Sequence, residues 1–361
     1  MELYLKFFIV FFSVFVGSTH VQAADLKEKI SQMIMLGFKG KRNDDPGVMK
    51  IKQFLSENWV GHVVLYARNI ESPEQLSELT SFLNEDGTNL IAVDQEGGRV
   101  QRLTEQKGFS SVPSAIDVRN TSAVDEAYNV YLQMAQMLKE YGINYNLAPV
   151  VDLNNPDSPC PAIGYFGRSY AADSNDVEGV VKYASAFLKA HEEVGVITAL
   201  KHFPGHGLAQ TDTHVGFTDI TQTYVEVESQ PFYELIPTAS SIMTAHVTHR
   251  EWDAEYPVTL SDKVIAERLK PKFEDGVIIS DDLGMGAIEK NYKDLGEIVV
   301  KAIRAGHDIL VFSHPADTYG KDFESFPSRI HESILKAIES GELSEERIDQ
   351  SYQRIMKMKD L

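Results

Sequence analysis

From Asp25 onward the chain alternates between short, mainly apolar runs rich in β-branched residues and longer amphipathic stretches. The runs are Met33–Phe38, Val60–Tyr66, Asn89–Val93, Ile143–Val151, Val196–Leu200, Ser241–Ala245, Gly276–Ser280 and Asp308–Phe312, eight in all. Helix-like segments fall between them, at Pro73–Asn84, Ser122–Tyr141, Asn175–Val194, Ser261–Lys270 and Gly286–Ala305. Such a run marks a strand buried on both faces, which is the signature of a parallel sheet with helical crossovers. A doubly wound open sheet gives the same alternation. Eight units in succession favour an α/β fold of the (β/α)8 TIM-barrel type, with a helix over Ser344–Lys359 closing the C-terminal side. No Pro/Gly/Ser-rich linker, low-complexity tract or short tandem repeat interrupts Asp25–Leu361, so residues 24–361 read as a single domain.

The first residues follow a different pattern. Phe7–Gly17 is an apolar run of 11 residues, too short to cross a bilayer core of roughly 30 Å as a helix. Lys6 precedes it, and Val21-Gln22-Ala23 places small residues at −3 and −1 of a cleavage site. Residues 1–23 are expected to be a secretory signal peptide, cut near Ala23 or Ala24, with an uncleaved anchor as the alternative. No Cys stands at the junction, which excludes a lipoprotein anchor. The expected mature protein is exported, periplasmic or secreted, and has no membrane association after cleavage.

Composition narrows the function classes. Of 361 residues, 43% are hydrophobic and 24% charged, so disorder is excluded. Lys plus Arg total 34 against 53 Asp plus Glu, a net charge of −19. Such a body repels phosphate backbones and anionic membranes, so no nucleic-acid partner is expected. The one cysteine, Cys160, allows neither an intrachain disulfide nor a multi-cysteine metal site.

Polar residues gather where the apolar runs end, which is where barrel enzymes build their sites. The third run leads into Asp94-Gln95-Glu96-Gly97-Gly98-Arg99, and the fourth reaches Asp152, with Gly167-Arg168-Ser169 after it. The fifth continues into Lys201-His202-Phe203-Pro204-Gly205-His206-Gly207 and then Asp212-Thr213-His214. The sixth ends at His246 and the seventh at Asp281-Asp282. Five ends bearing carboxylates, imidazoles, Lys and Arg imply one convergent polar pocket. Asp281 at a strand end suits a nucleophile or an electrostatic stabiliser, and equally a helix N-cap; with Asp282 beside it, one can cap while the other reacts. In Asp212-Thr213-His214 the carboxylate can hold the imidazole in one tautomer for proton transfer near neutral pH. Lys201 and His202 offer donors to substrate hydroxyls, unless the lysine snorkels to solvent. His202, His206, Asp212 and His214 also carry metal-ligand atoms, but HExxH is absent and no metal is expected. Gly97-Gly98 is too weak a signal for a phosphate loop.

Four stretches together resemble the family 3 glycoside hydrolases, in particular the single-domain bacterial β-N-acetylhexosaminidases. They are Ala92–Arg102 (AVDQEGGRVQR), Phe166–Tyr170 (FGRSY), Lys201–Gly207 (KHFPGHG) with Asp212-Thr213-His214, and Ile279–Met285 (ISDDLGM). The resemblance implies a (β/α)8 barrel, Asp281 as catalytic nucleophile, His214 as general acid/base and Asp212 as its partner. It also implies that Asp94, Arg102, Arg168, Lys201 and His202 hold the sugar in the −1 subsite. The implied activity is that of a retaining exo-β-N-acetylglucosaminidase without a cofactor, acting as a monomer on a small-molecule glycoside or muropeptide from cell-wall or chitin-type oligosaccharides. Within the family a β-glucosidase or β-xylosidase is the alternative, against which the Asp212-x-His214 loop speaks. A histidine acid also leaves phosphorolysis open, since an imidazole does not repel an incoming anion. A non-catalytic sugar-binding barrel is the alternative from another class.

Overall fold

The computed structural model of the chain describes residues 24–314 and 322–360. The expected signal peptide over 1–23 lies outside the described residues. All eight apolar runs become strands of one parallel sheet. They are β1 (Ile34–Leu36), β2 (His62–Leu65), β3 (Leu90–Val93), β4 (Tyr145–Asn146), β5 (Ile197–Phe203), β7 (Ser241–Thr244), β9 (Val277–Ser280) and β10 (Leu310–Phe312). Two short strands outside the barrel, β6 (Thr218–Asp219) and β8 (Val247–Thr248), pair with each other. The barrel order is β10-β1-β2-β3-β4-β5-β7-β9. It closes through a parallel bridge between Ile279 and Ile309, where the Ser280 amide donates to the Ile309 carbonyl at 3.0 Å. This is the expected (β/α)8 barrel.

Every residue of the eight barrel strands is buried, which is why the runs are mostly apolar, and polar exceptions such as His62, Asn146, Thr198 and Ser241 are buried with them. Helices wrap the outside. Pro73–Leu83 starts with a proline after its N-cap Ser72, whose side chain accepts from Gln75 N. Val177–Glu193 is capped by Asp176 and lays a buried stripe on the barrel. The expected C-terminal helix runs Glu345–Lys359 and packs against Leu26–Gln32. Its Arg354 and Arg347 reach the fully buried Asp308 below β10, at 2.7 and 3.4 Å, which fixes the helix to the floor of the barrel.

Two helical expectations need correction. Gly286–Ala305 is two helices, Gly286–Glu289 and Leu295–Ala305, because Asp294 N-caps the second by accepting from Glu297 N at 2.8 Å. Ser122–Tyr141 likewise begins later. Ser122 ends a separate helix, Ala115–Thr121, and the long helix is Val124–Glu140. No helix among the described residues is long and apolar enough to cross a membrane.

Candidate active site

A cleft of about 630 Å3 opens at the C-terminal ends of the strands. All eight residues singled out in the sequence, Asp94, Arg102, Arg168, Lys201, His202, Asp212, His214 and Asp281, line it.

The floor is an interlocked charge cluster. Lys201, buried near the C-terminal end of β5, donates through Nζ to Asp94 Oδ1 at 2.9 Å and pairs with Glu96 Oε1 at 2.6 Å. Arg102 donates to the other Asp94 oxygen at 2.9 Å. Arg168 grips Glu96 with two bonds of 2.8 Å, a bidentate arrangement that fixes the guanidinium plane. Burial alone would raise both carboxyls, yet Lys201 and Arg102 hold Asp94, and Arg168 and Lys201 hold Glu96, well below the usual carboxylate range. The same carboxylates keep Lys201 protonated against its burial. The two carboxylates thus fix Lys201, Arg102 and Arg168 as donors at the floor of the cleft, suited to neutral hydroxyl and amide oxygens. Glu96 was quoted in the sequence motif without a role. Its spacing from Asp94 carries the signal, because residues i and i+2 of an extended segment share a face.

His202 is oriented from behind. Its Nδ1 lies 2.7 Å from Asp152 Oδ2, and Asp152 is fully buried. Burial opposes the ionisation of Asp152, but His202 keeps its pKa below the usual value. A carboxylate only accepts, so His202 carries its proton on Nδ1 and presents Nε2 beside Arg168 Nη2 at 3.3 Å. Asp152 is the second residue that sequence reasoning left without a role.

The adjacent carboxylates after β9 separate cleanly. Asp282 is occupied by structure: Oδ1 accepts from Gly284 N at 3.0 Å and Ser313 N at 2.9 Å, while Oδ2 accepts from the Ser313 hydroxyl. Asp281 accepts the Asp282 amide on Oδ1 at 2.7 Å, and its Oδ2 has no hydrogen-bond partner among the described residues. Burial works against its charge, but the imidazoles of His246, His202 and His214 hold its pKa below the usual value. An ionised carboxylate with a free oxygen therefore stands in the cleft.

Across from it, His214 rides an exposed loop. Its Nδ1 lies 2.7 Å from Asp212 Oδ1, which also accepts the His214 amide at 2.9 Å. Asp212 stays ionised despite partial burial, because the amide and ring of His214 lower its pKa. Nδ1 thus keeps its proton and Nε2 is the exchanging nitrogen. The loop docks on the residues that follow Asp281: Ala287 N donates to Thr213 O at 3.1 Å and Gly286 N to His214 O at 3.3 Å. A Cβ at Gly286 would sit 2.8 Å from the His214 and Val215 carbonyl oxygens, so only glycine permits this approach. The β6–β8 pairing fixes the downstream end of the loop. No group of three or more His, Cys, Asp or Glu among the described residues is arranged to hold a metal ion.

Comparisons with known proteins identify the relatives of this chain. The model of the glycosyl hydrolase family 3 N terminal domain matches residues 25–358. The beta-hexosaminidase of Nitrosomonas eutropha is 35% identical over 277 residues, which span 73% of this chain and 76% of its own. That of Haemophilus influenzae is 34% identical over 292 residues, spanning 77% and 78%. Among solved structures, a glycoside hydrolase family 3 beta-N-acetylglucosaminidase from Paenibacillus sp. str. FPU-7 superimposes with a TM-score of 0.82 at 32% identity. That match covers 94% of this chain but 62% of the Paenibacillus chain, so this protein spans under two thirds of that relative. With a family model spanning nearly all the described residues and an acid cleft at the mouth of the expected barrel, the chain belongs to glycoside hydrolase family 3.

Proposed function

We propose that the protein is a retaining exo-β-N-acetylglucosaminidase that removes non-reducing terminal N-acetylglucosamine from cell-wall or chitin-type oligosaccharides. The observation that carries this reading is the division of labour between Asp281 and Asp282. One carboxylate is consumed by backbone and hydroxyl bonds, and the other is left ionised and open opposite a carboxylate-supported imidazole. The hexosaminidase names of the relatives support the choice of sugar.

Asp281 Oδ2 attacks the anomeric carbon while His214, as imidazolium, gives the Nε2 proton to the glycosidic oxygen. The C–O bond breaks, the aglycone departs as an alcohol, and the sugar remains as an ester on Asp281. Neutral His214 then takes a proton from water through Nε2. The resulting attack at the anomeric carbon releases the sugar and regenerates the carboxylate. Two inversions give net retention. Asp212 fixes the tautomer throughout and stabilises the cationic form. Asp94, Arg102, Arg168, Lys201 and His202 hold the sugar, with Glu96 and Asp152 fixing the holders in turn.

We read the protein as acting as a monomer. We also read it as exported, on the strength of Lys6, the Phe7–Gly17 run and the small residues at Val21 and Ala23. Activity on a chromogenic N-acetylglucosaminide and on the matching glucoside tests the proposal. A preference for the acetamido sugar of about 100-fold or more in kcat/KM is expected. Equal rates, or a preference for the glucoside, would overturn it.

A further inference from the structure

We infer that Thr213 is the positioning residue of the acid/base pair: its hydroxyl, held by buried His206, sets where Asp212 and His214 stand over the cleft. The inference rests on the reading of His214 as acid/base.

Between Gln210 and Phe217 the chain is exposed or half-buried at every position but one, and that one is Thr213, at 2% exposure. His214 beside it leaves 63% of its side chain to solvent. An exposed dyad on an irregular loop has few contacts to hold a reacting geometry, and small misplacement of an acid is costly. The amides of Gly286 and Ala287 hold the loop's main chain at His214 and Thr213, and the one buried side chain of the stretch, Thr213, adds an anchor from inside. Thr213 Oγ1 is 3.2 Å from His206 Nε2, inside the protein. His206 Nδ1 faces Cys160 Sγ at 3.6 Å. Burial, helped by His202, pushes His206 down to about 4, so its ring is neutral and exchanges one hydrogen bond with each neighbour. Burial likewise raises the Cys160 thiol to about 11, so it remains a neutral partner.

His206 is itself fixed by the carboxylate that orients the sugar-facing histidine. Asp152 Oδ1 accepts the amides of His202 at 3.1 Å and His206 at 2.9 Å, while Oδ2 faces the His202 ring. The turn carrying His206 is set by Gly205, whose φ of +129° and approach to Glu228 admit no larger residue. A buried line thus runs from Asp152 through His206 to Thr213. It places the acid/base loop in the same frame as the −1 subsite.

Thr213→Val keeps volume and β-branching and removes the hydroxyl; Thr213→Ser keeps the hydroxyl. The test is kcat/KM for wild type, both variants and His214→Ala over N-acetylglucosaminides with leaving groups of graded pKa. This parameter reports steps up to bond cleavage, where only the acid role matters. Thr213→Val should lose under about threefold on the most acidic phenol and about 10- to 100-fold on weakly acidic leaving groups, with Thr213→Ser close to wild type. His206→Leu, which removes the partner, should reproduce the slope and covers the case in which Thr213→Val fails to fold. A uniform loss across the series, or none, would overturn the inference while a steep His214→Ala series leaves the acid/base reading standing. A flat His214→Ala series would overturn that reading and the inference with it.

Discussion

Asp281 and Asp282 are adjacent, yet Asp282 accepts three hydrogen bonds that tie β9 to Gly284 and Ser313, while Asp281 keeps one oxygen open to the cleft. Substitution should separate the two. Asp281→Ala should lower kcat by several orders of magnitude with a smaller change in Tm than Asp282→Ala, since it loses the attacking group and only a local hydrogen bond. Asp282→Ala should lower Tm by several degrees, because the Ser313 and Gly284 donors lose their acceptor. Kinetics and thermal melts of both variants check this; the reverse pattern would exchange their roles.

Glu96 supports the proposed sugar site from below, through Arg168 and Lys201. Glu96→Gln leaves those buried cations short of one anion, and breaking such a cluster costs about 3–5 kcal/mol. The expected outcome is a lower Tm and a drop in kcat/KM that is the same for every leaving group, because the sugar, not the aglycone, is mispositioned. Unchanged stability and kcat/KM in the variant would remove Glu96 from the site.

Glu228 gives a pH signature. Its carboxyl is buried under the Pro204–Leu208 turn and accepts the Leu208 amide at 3.1 Å, with no ion pair among the described residues. Burial pushes its pKa up to about 8, and the charge on Asp152 adds to this. In the unfolded chain it titrates near about 4.3. Between those values the fold binds a proton that the unfolded chain lacks, so this group's contribution to stability is whole at low pH and lost as pH rises towards 8. Glu228→Gln cannot ionise. Its Tm should fall less than that of wild type between about pH 5 and pH 9, and parallel Tm curves would contradict the assignment.

What was legible in the sequence follows burial. Strands covered on both faces write mainly apolar runs, so each of the eight contains a strand or most of one, closely for Ser241–Ala245 and β7, loosely for Ile143–Val151, where β4 is only Tyr145–Asn146. The apolar run ends at Leu200, short of the end of β5 at Phe203, because the next two strand residues, Lys201 and His202, are polar and face the cleft. Helix ends were less legible where a local cap decides them, as Asp294 does within Gly286–Ala305. The site residues announced themselves as polar groups at strand ends. Glu96 and Asp152 did not acquire roles, because their partners are set by topology: Arg168 is 72 residues from Glu96, and His202 is 50 from Asp152. Only the closed barrel brings them together.

The central claim is that Asp281 forms a covalent glycosyl ester. The most direct test is intact-mass and peptide-mass spectrometry of His214→Ala, acid-quenched while turning over an N-acetylglucosaminide of an acidic phenol. That substrate needs no acid to form the intermediate, and the variant lacks the base that hydrolyses it. The account predicts a protein heavier by one N-acetylglucosaminyl residue, with the added mass on the peptide carrying Asp281. Turnover without any adduct, or an adduct mapped to a different residue, would contradict it.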